Sequence, residues 1–90
     1  MLDSEGKYDE ALKLYAEALG IRKEKLGPGH PSVALAVWNI ANLHEQTGNL
    51  ALALQGYEEN LRISQIVFGP DHQECKDAEE AIARVRGNMA

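Results

Sequence analysis

Residues 26–31 read Leu-Gly-Pro-Gly-His-Pro and residues 68–72 read Phe-Gly-Pro-Asp-His, so Gly-Pro-x-His recurs after 42 positions. The match extends outward from both copies without a gap. Upstream, Gly6 falls on Gly48, Ala11 on Ala53, Leu12 on Leu54, Tyr15 on Tyr57, Leu19 on Leu61 and Ile21 on Ile63. Downstream, Ala36 meets Ala78, Ile40 meets Ile82 and Ala41 meets Ala83. A fixed period of this length marks a repeat architecture, in which each unit buries its apolar face against its neighbours.

Between the Gly-Pro loops the apolar spacing is helical. Tyr8, Leu12, Tyr15, Leu19 and Leu26 form one stripe, and Leu14, Ala18 and Ile21 a second. Two stripes predict a helix over about 6–26 packed against two neighbours. Lys23 and Lys25 suit the negative pole at its end. Pro31 suits the first turn of a helix over 31–47, because its missing N–H is not needed there. Val33, Val37, Ile40, Ala41 and His44 share a face of that helix. A third helix is expected over 50–68. A fourth, over 71–86, is expected to open on an Asp71–Glu74 capping pair. It is more polar than the second, as suits a terminal, solvent-facing layer. Gly6 and Gly48 are expected in tight turns with positive φ, and Ala11, Ala41 and Ala53 where helix axes cross. The fold class is therefore all-α: four antiparallel helices in one domain spanning 1–90.

Bulk properties restrict the function. A 90-residue chain buries only about 60–65% of its unfolded surface and forms one small core. No apolar run reaches the roughly 20 residues that cross a bilayer. The net charge of -5 disfavours nucleic acid and anionic membranes, both of which need Lys and Arg. The acidic start lacks the pattern of a signal peptide, and the single Cys75 cannot form an internal disulfide; both point to a reducing, cytoplasmic setting. Cys75 matches Val33 and reads as a small core residue. His30 and His72 sit in separate loops with no further ligand set, and read as loop or cap residues. No phosphate loop, zinc helix or nucleophile elbow is present. The sequence predicts no catalysis, no metal and no cofactor.

Gly6-Lys7-Tyr8-Asp9-Glu10-Ala11-Leu12, Tyr15, Ala18-Leu19, Leu26 to Pro31, Asn39-Ile40-Ala41, Gly48 and Ala53 together resemble tetratricopeptide repeats. The 42-residue period with Leu-Gly-Pro-x-His-Pro resembles the longer kinesin-light-chain type. The resemblance implies a superhelix of helix pairs whose concave face receives a partner peptide. In that register, residues 6–30 are the second helix of a partial repeat, 31–68 a full repeat, and 71–90 the first helix of a next repeat or a capping helix. Met1-Leu2 then match Leu43-His44, and the partner of helix 6–26 is missing.

The same register implies a groove lined by Leu35, Trp38, Asn39, Asn42, Glu45 and Gln46 of the second helix. Asp77, Glu80, Ala81 and Arg84 of the fourth complete it. Trp38 is either an exposed anchor there or packed against a neighbouring helix, and Asn39 and Asn42 are either ligand contacts or ordinary surface. His44 stands at a packing position and is expected to be at least half-buried. Kinesin light chains resemble basic-groove binders of Trp-acidic peptides. Here Glu45, Asp77 and Glu80 face a single Arg84, so a basic or apolar segment is the better electrostatic match. Two other readings stay open: self-association, with a second copy covering helix 6–26, and a repeat fragment with no activity of its own.

Overall fold

A computed structural model describes residues 3–89, with side chains from Lys7 onward. The pairing of Met1-Leu2 with Leu43-His44 lies outside the described residues. The chain forms α1 (Asp3–Leu26), α2 (Pro31–Gln46), α3 (Leu50–Val67) and α4 (Gln73–Met89). No strand occurs among the described residues. Each helix packs against the next in sequence, α1 on α2, α2 on α3 and α3 on α4, in a slab of 40 × 34 × 17 Å. This is the expected all-α antiparallel arrangement of a tetratricopeptide-like helical repeat.

The Gly-Pro-x-His loops explain the helix ends. Gly27 and Gly69 leave their helices with φ of 90° and 95°, a left-handed conformation that other residues adopt at a cost. The His30 and His72 N–H groups then donate back to the carbonyls of Gly27 and Gly69, each at 3.2 Å. Each imidazole turns to cap the following helix. Nδ1 of His30 accepts from the Ser32 N–H at 3.0 Å, and Nδ1 of His72 from the Glu74 N–H at 3.1 Å. A histidine thus does the work usually given to Ser or Asp at a helix N-cap. Phe68 stacks on His72 with ring centroids 4.5 Å apart. The expected Asp71–Glu74 capping pair is therefore corrected. Asp71 sits inside the loop, and α4 begins only at Gln73.

Gly48 adopts a φ of 88°, as expected of the α2–α3 turn. Gly6 does not make a turn. It lies within α1, which starts at Asp3, and no helix precedes α1 among the described residues for a turn to join.

The core lies where α2, α3 and α4 meet. Ala41, Ala53, Tyr57, Ala81, Ile82 and Val85 form one buried cluster, with Trp38, Leu50, Leu54 and Leu61 packed around it. Val33, Ala34, Val37 and Ile63 form a second, with Leu19 and Val67 against it. Small residues set the spacing. A Cβ added at Gly56 would lie 2.7 Å from the Ala41 Cβ, so α2 and α3 nearly touch there. Asn60 is buried and its Nδ2 donates to the Ala34 carbonyl at 2.8 Å, tying the same two helices.

The repeat makes an internal control of this packing. Tyr57 and Ile63 are 0% and 4% exposed, whereas their counterparts Tyr15 and Ile21 are 38% and 55% exposed. The residues are the same and the neighbours differ. In α3 that face is covered by α2; in α1 no described helix covers it. The two-neighbour expectation for α1 is corrected accordingly: α1 packs on α2, with Leu19 set against the second buried cluster. At the other end, Lys76, Glu79, Ala83 and Arg86 are exposed at the positions where α2 carries Ala34, Val37, Ala41 and His44. The outer face of α4 is thus polar and exposed, as the polar sequence of this helix leads one to expect.

Candidate functional site

The sequence-predicted groove residues sit on α2 and α4 and divide into three groups. Leu35, Trp38 and Asp77 line a cleft of about 200 Å³ between the two helices, together with Glu74. Asn39, Asn42 and Gln46 line a different cleft, of about 340 Å³, whose other wall is Lys7, Tyr8, Ala11 and Tyr15 of α1. Glu45 and Arg84 line neither and bind each other. Glu80 is exposed on α4 outside both clefts. Ala81 is corrected: it is buried in the core beside Tyr57 and Val85, because α4 turns that position inward against α3.

Trp38 combines its two readings. It is half-buried, packs on the core cluster and meets Tyr57 edge-on, with ring centroids 4.9 Å apart and an interplanar angle of 61°. Its remaining surface borders the cleft beside Leu35, which is more than half exposed. An aromatic held in this way is a rigid wall with little rotamer freedom left to lose on binding.

The wall is braced by a chain of polar contacts from α4. The Tyr57 hydroxyl donates to Glu45 Oε1 at 2.7 Å. Arg84 donates to the same carboxylate through two nitrogens, Nε to Oε2 at 2.7 Å and Nη2 to Oε1 at 2.8 Å. This two-point geometry is the strong form of the pair. Arg84 hydrogen bonding holds the Glu45 carboxyl below the usual carboxylate range, against an opposing effect of burial. Glu45 in turn raises the Arg84 guanidinium. Burial, aided by the Glu45 carboxylate, pushes the Tyr57 phenol up to about 12. Residues 45 and 84 thus tie α2 to α4 and fix the width of the cleft between them.

The pair also changes the charge that a ligand meets. Glu45 and Arg84 neutralise each other, whereas Glu74, Asp77 and Glu80 form no ion pair among the described residues. The cleft beside Trp38 is therefore acidic, whereas Lys7 borders the one beside Asn39, Asn42 and Gln46. Sequence reasoning missed Glu74, although it lies one helical turn before Asp77 and so on the same face. It also missed Tyr57 and Gly56 as the residues that set the wall and the helix spacing.

Elsewhere, burial lowers the His44 imidazole, whose buried Nδ1 has no hydrogen-bond partner among the described residues. Cys75 is buried, as expected, and its Sγ donates to the Gly69 carbonyl at 3.2 Å. Burial and the nearby Glu79, Glu74 and Asp71 raise its thiol, opposite to what a reactive thiolate needs. No cluster of three or more metal-ligating side chains occurs among the described residues. No helix among them is long and apolar enough to cross a membrane.

Residues 3–48 match one profile described as tetratricopeptide repeat, and residues 39–74 match a second of the same description. No curated protein matches the chain.

Proposed function

The chain belongs to the tetratricopeptide repeat family, whose repeats generally mediate protein–protein interactions and typically serve as non-enzymatic scaffolds, and from that premise we propose that it holds a partner peptide in the groove formed by α2 and α4. The single observation carrying this reading is the braced aromatic wall. Trp38, with Leu35 beside it, keeps apolar surface open to solvent while Tyr57, Glu45 and Arg84 hold it in place. Rigid Trp surface at the centre of a recess is the kind of feature that dominates binding energy.

In this reading Leu35, Trp38, Asn39, Asn42, Gln46, Asp77 and Glu80 meet the partner, and Glu45 with Arg84 positions them. The helices are assigned as in the longer, kinesin-light-chain type of repeat. α1 is the second helix of a partial repeat, residues 31–68 make a full repeat, and α4 is the first helix of a next repeat or a cap. The setting is cytoplasmic. The partner segment is basic or apolar where it meets Trp38, because the charges lining that cleft are both carboxylates. The test is a peptide-display selection with the parent and Trp38→Ala as parallel baits. Peptides enriched by the parent and lost by the variant support the groove, and absence of enrichment overturns it.

A second reading, self-association through α1, is favoured by the exposed Leu14, Tyr15 and Ile21. Leu14 occupies the position matched by Gly56 in α3, so a helix seated on α1 must lie further out than α2 lies on α3. Sedimentation equilibrium tests this: a monomer up to high micromolar concentration overturns it, and a concentration-dependent dimer abolished by Ile21→Glu supports it.

A further inference from the structure

We propose that the cleft between α2 and α4 is a subsite for one cationic side chain of the partner segment, a lysine or arginine lying along Trp38 and Leu35 with its charged end between the carboxylates of Glu74 and Asp77. The proposal deepens the groove reading and rests on it. The cleft measures about 200 Å³. That is below the roughly 300–1,000 Å³ of sites for whole small molecules, and suits a single long side chain.

The chemistry of the walls is matched to such a side chain along its length. Leu35 and the indole of Trp38 offer apolar surface to a methylene stem, which lysine and arginine bury readily while their heads stay polar. The aromatic ring also attracts a cation through its quadrupole, most strongly when the ring is tryptophan. Glu74 and Asp77 stand on α4 across from that ring and supply the opposite charge. Asp77 is half-buried, and its Oδ1 accepts from Gln73 Nε2 at 2.9 Å. That neutral contact orients the carboxylate without cancelling its charge.

Among the described residues no Lys or Arg lines the cleft or pairs with Glu74 or Asp77, and Lys76, between them in sequence, is exposed outside its lining. Arg84 lies on the groove side of α4, and both its bonding nitrogens are committed to Glu45. Arg86 pairs with Glu58 and Lys23 with Glu59, both away from the cleft. An acidic residue of a partner entering the same cleft would face two carboxylates and no base. Selectivity for positive over negative residues therefore follows from repulsion as well as attraction.

The test uses the whole 90-residue chain. Peptides from the display selection are aligned, and the strongest is measured by fluorescence anisotropy. A version with its basic residue changed to methionine is measured beside it. Both are measured against the parent and against the double variant Glu74→Gln/Asp77→Asn. Circular dichroism checks that the variant folds; Glu74 is exposed and Asp77 half-buried, and both substitutions keep side-chain volume.

The expected result is a fixed Lys or Arg position among Trp38-dependent peptides. Changing that residue to methionine should weaken binding to the parent about tenfold, and leave binding to the double variant nearly unchanged. The parent's preference should also shrink as salt rises. If Trp38-dependent peptides show no basic position, or if both proteins discriminate equally between the lysine and methionine versions, the subsite is overturned and the groove reading stands. If no peptide is enriched, or enrichment survives Trp38→Ala, the groove reading falls and the subsite with it.

Discussion

Replacing glycine by alanine should have opposite signs in α1 and α3, and the difference reports how closely α2 and α3 approach. Gly20 is exposed within α1, and an added Cβ meets nothing within 4 Å. Gly20→Ala therefore brings only the gain in helix propensity, about 0.5–1 kcal/mol. In α3, a Cβ at Gly56 would lie 2.7 Å from the Ala41 Cβ and 3.3 Å from its Cα. Ordinary contact begins near 3.4 Å, and neither neighbouring atom is the free end of a flexible chain. The helices must part, at an overpacking cost of about 1–3 kcal/mol. After the same propensity gain, Gly56→Ala should be destabilising by roughly 0–2 kcal/mol.

Urea unfolding followed by circular dichroism measures both, and thermal midpoints should move by about 4–8 °C per kcal/mol in a domain of this size. Adding Ala41→Gly removes the clashing methyl. The double variant Ala41→Gly/Gly56→Ala should then be more stable than the sum of its parts by about 1 kcal/mol or more. If Gly56→Ala stabilises as much as Gly20→Ala, or if the double variant is simply additive, the close crossing of α2 and α3 is refuted.

Glu45→Gln should flatten the acid limb of stability. The folded carboxyl lies below its ordinary value, so its contribution is fully present above the unfolded pKa and is lost as pH falls through the folded one. Urea midpoints between pH 7 and pH 3 should fall more steeply for the parent than for the variant, and parallel curves would remove Glu45 as the cause. Cys75 should react with a thiol reagent far more slowly in the native chain than in urea, because it is buried and its thiol is raised. Equal rates would mean that the first turn of α4 opens freely.

The loops were the most legible part of the chain. Gly-Pro-x-His encodes a left-handed exit, a turn and an imidazole cap within four residues, so its recurrence locates both loops, although the cap of α4 is His72 rather than the Asp71 that the sequence suggests. The cores of α2 and α3 were legible for a related reason, since helical spacing assigns Val33, Val37, Tyr57 and Ile63 to inner faces. What stayed hidden depends on contacts across the fold. Glu45 and Arg84 are 39 residues apart and read as two separate groove charges until the packing of α2 and α4 joins them. Ala81 is a groove residue in the register that the family resemblance implies, yet it is buried in the core with Tyr57 and Val85. Gly6 matches Gly48 in the alignment but lies inside α1. Gly56 carried no local signal; its importance comes from Ala41 on another helix.

The pairwise stacking of helices along the chain has a mechanical consequence. Load applied at the two ends passes through the α1–α2, α2–α3 and α3–α4 contacts in series, so the weakest junction yields while the others stay intact. That junction is α1–α2, the least extensive of the three helix contacts. Peeling away the 24 residues of α1 would release about 80 Å of extended chain and leave the Trp38 wall, with its Tyr57–Glu45–Arg84 brace, standing. Under tension the protein would lengthen in steps, the first of which strips the α1 wall from the cleft beside Asn39, Asn42 and Gln46 while the cleft beside Trp38 keeps both its helices.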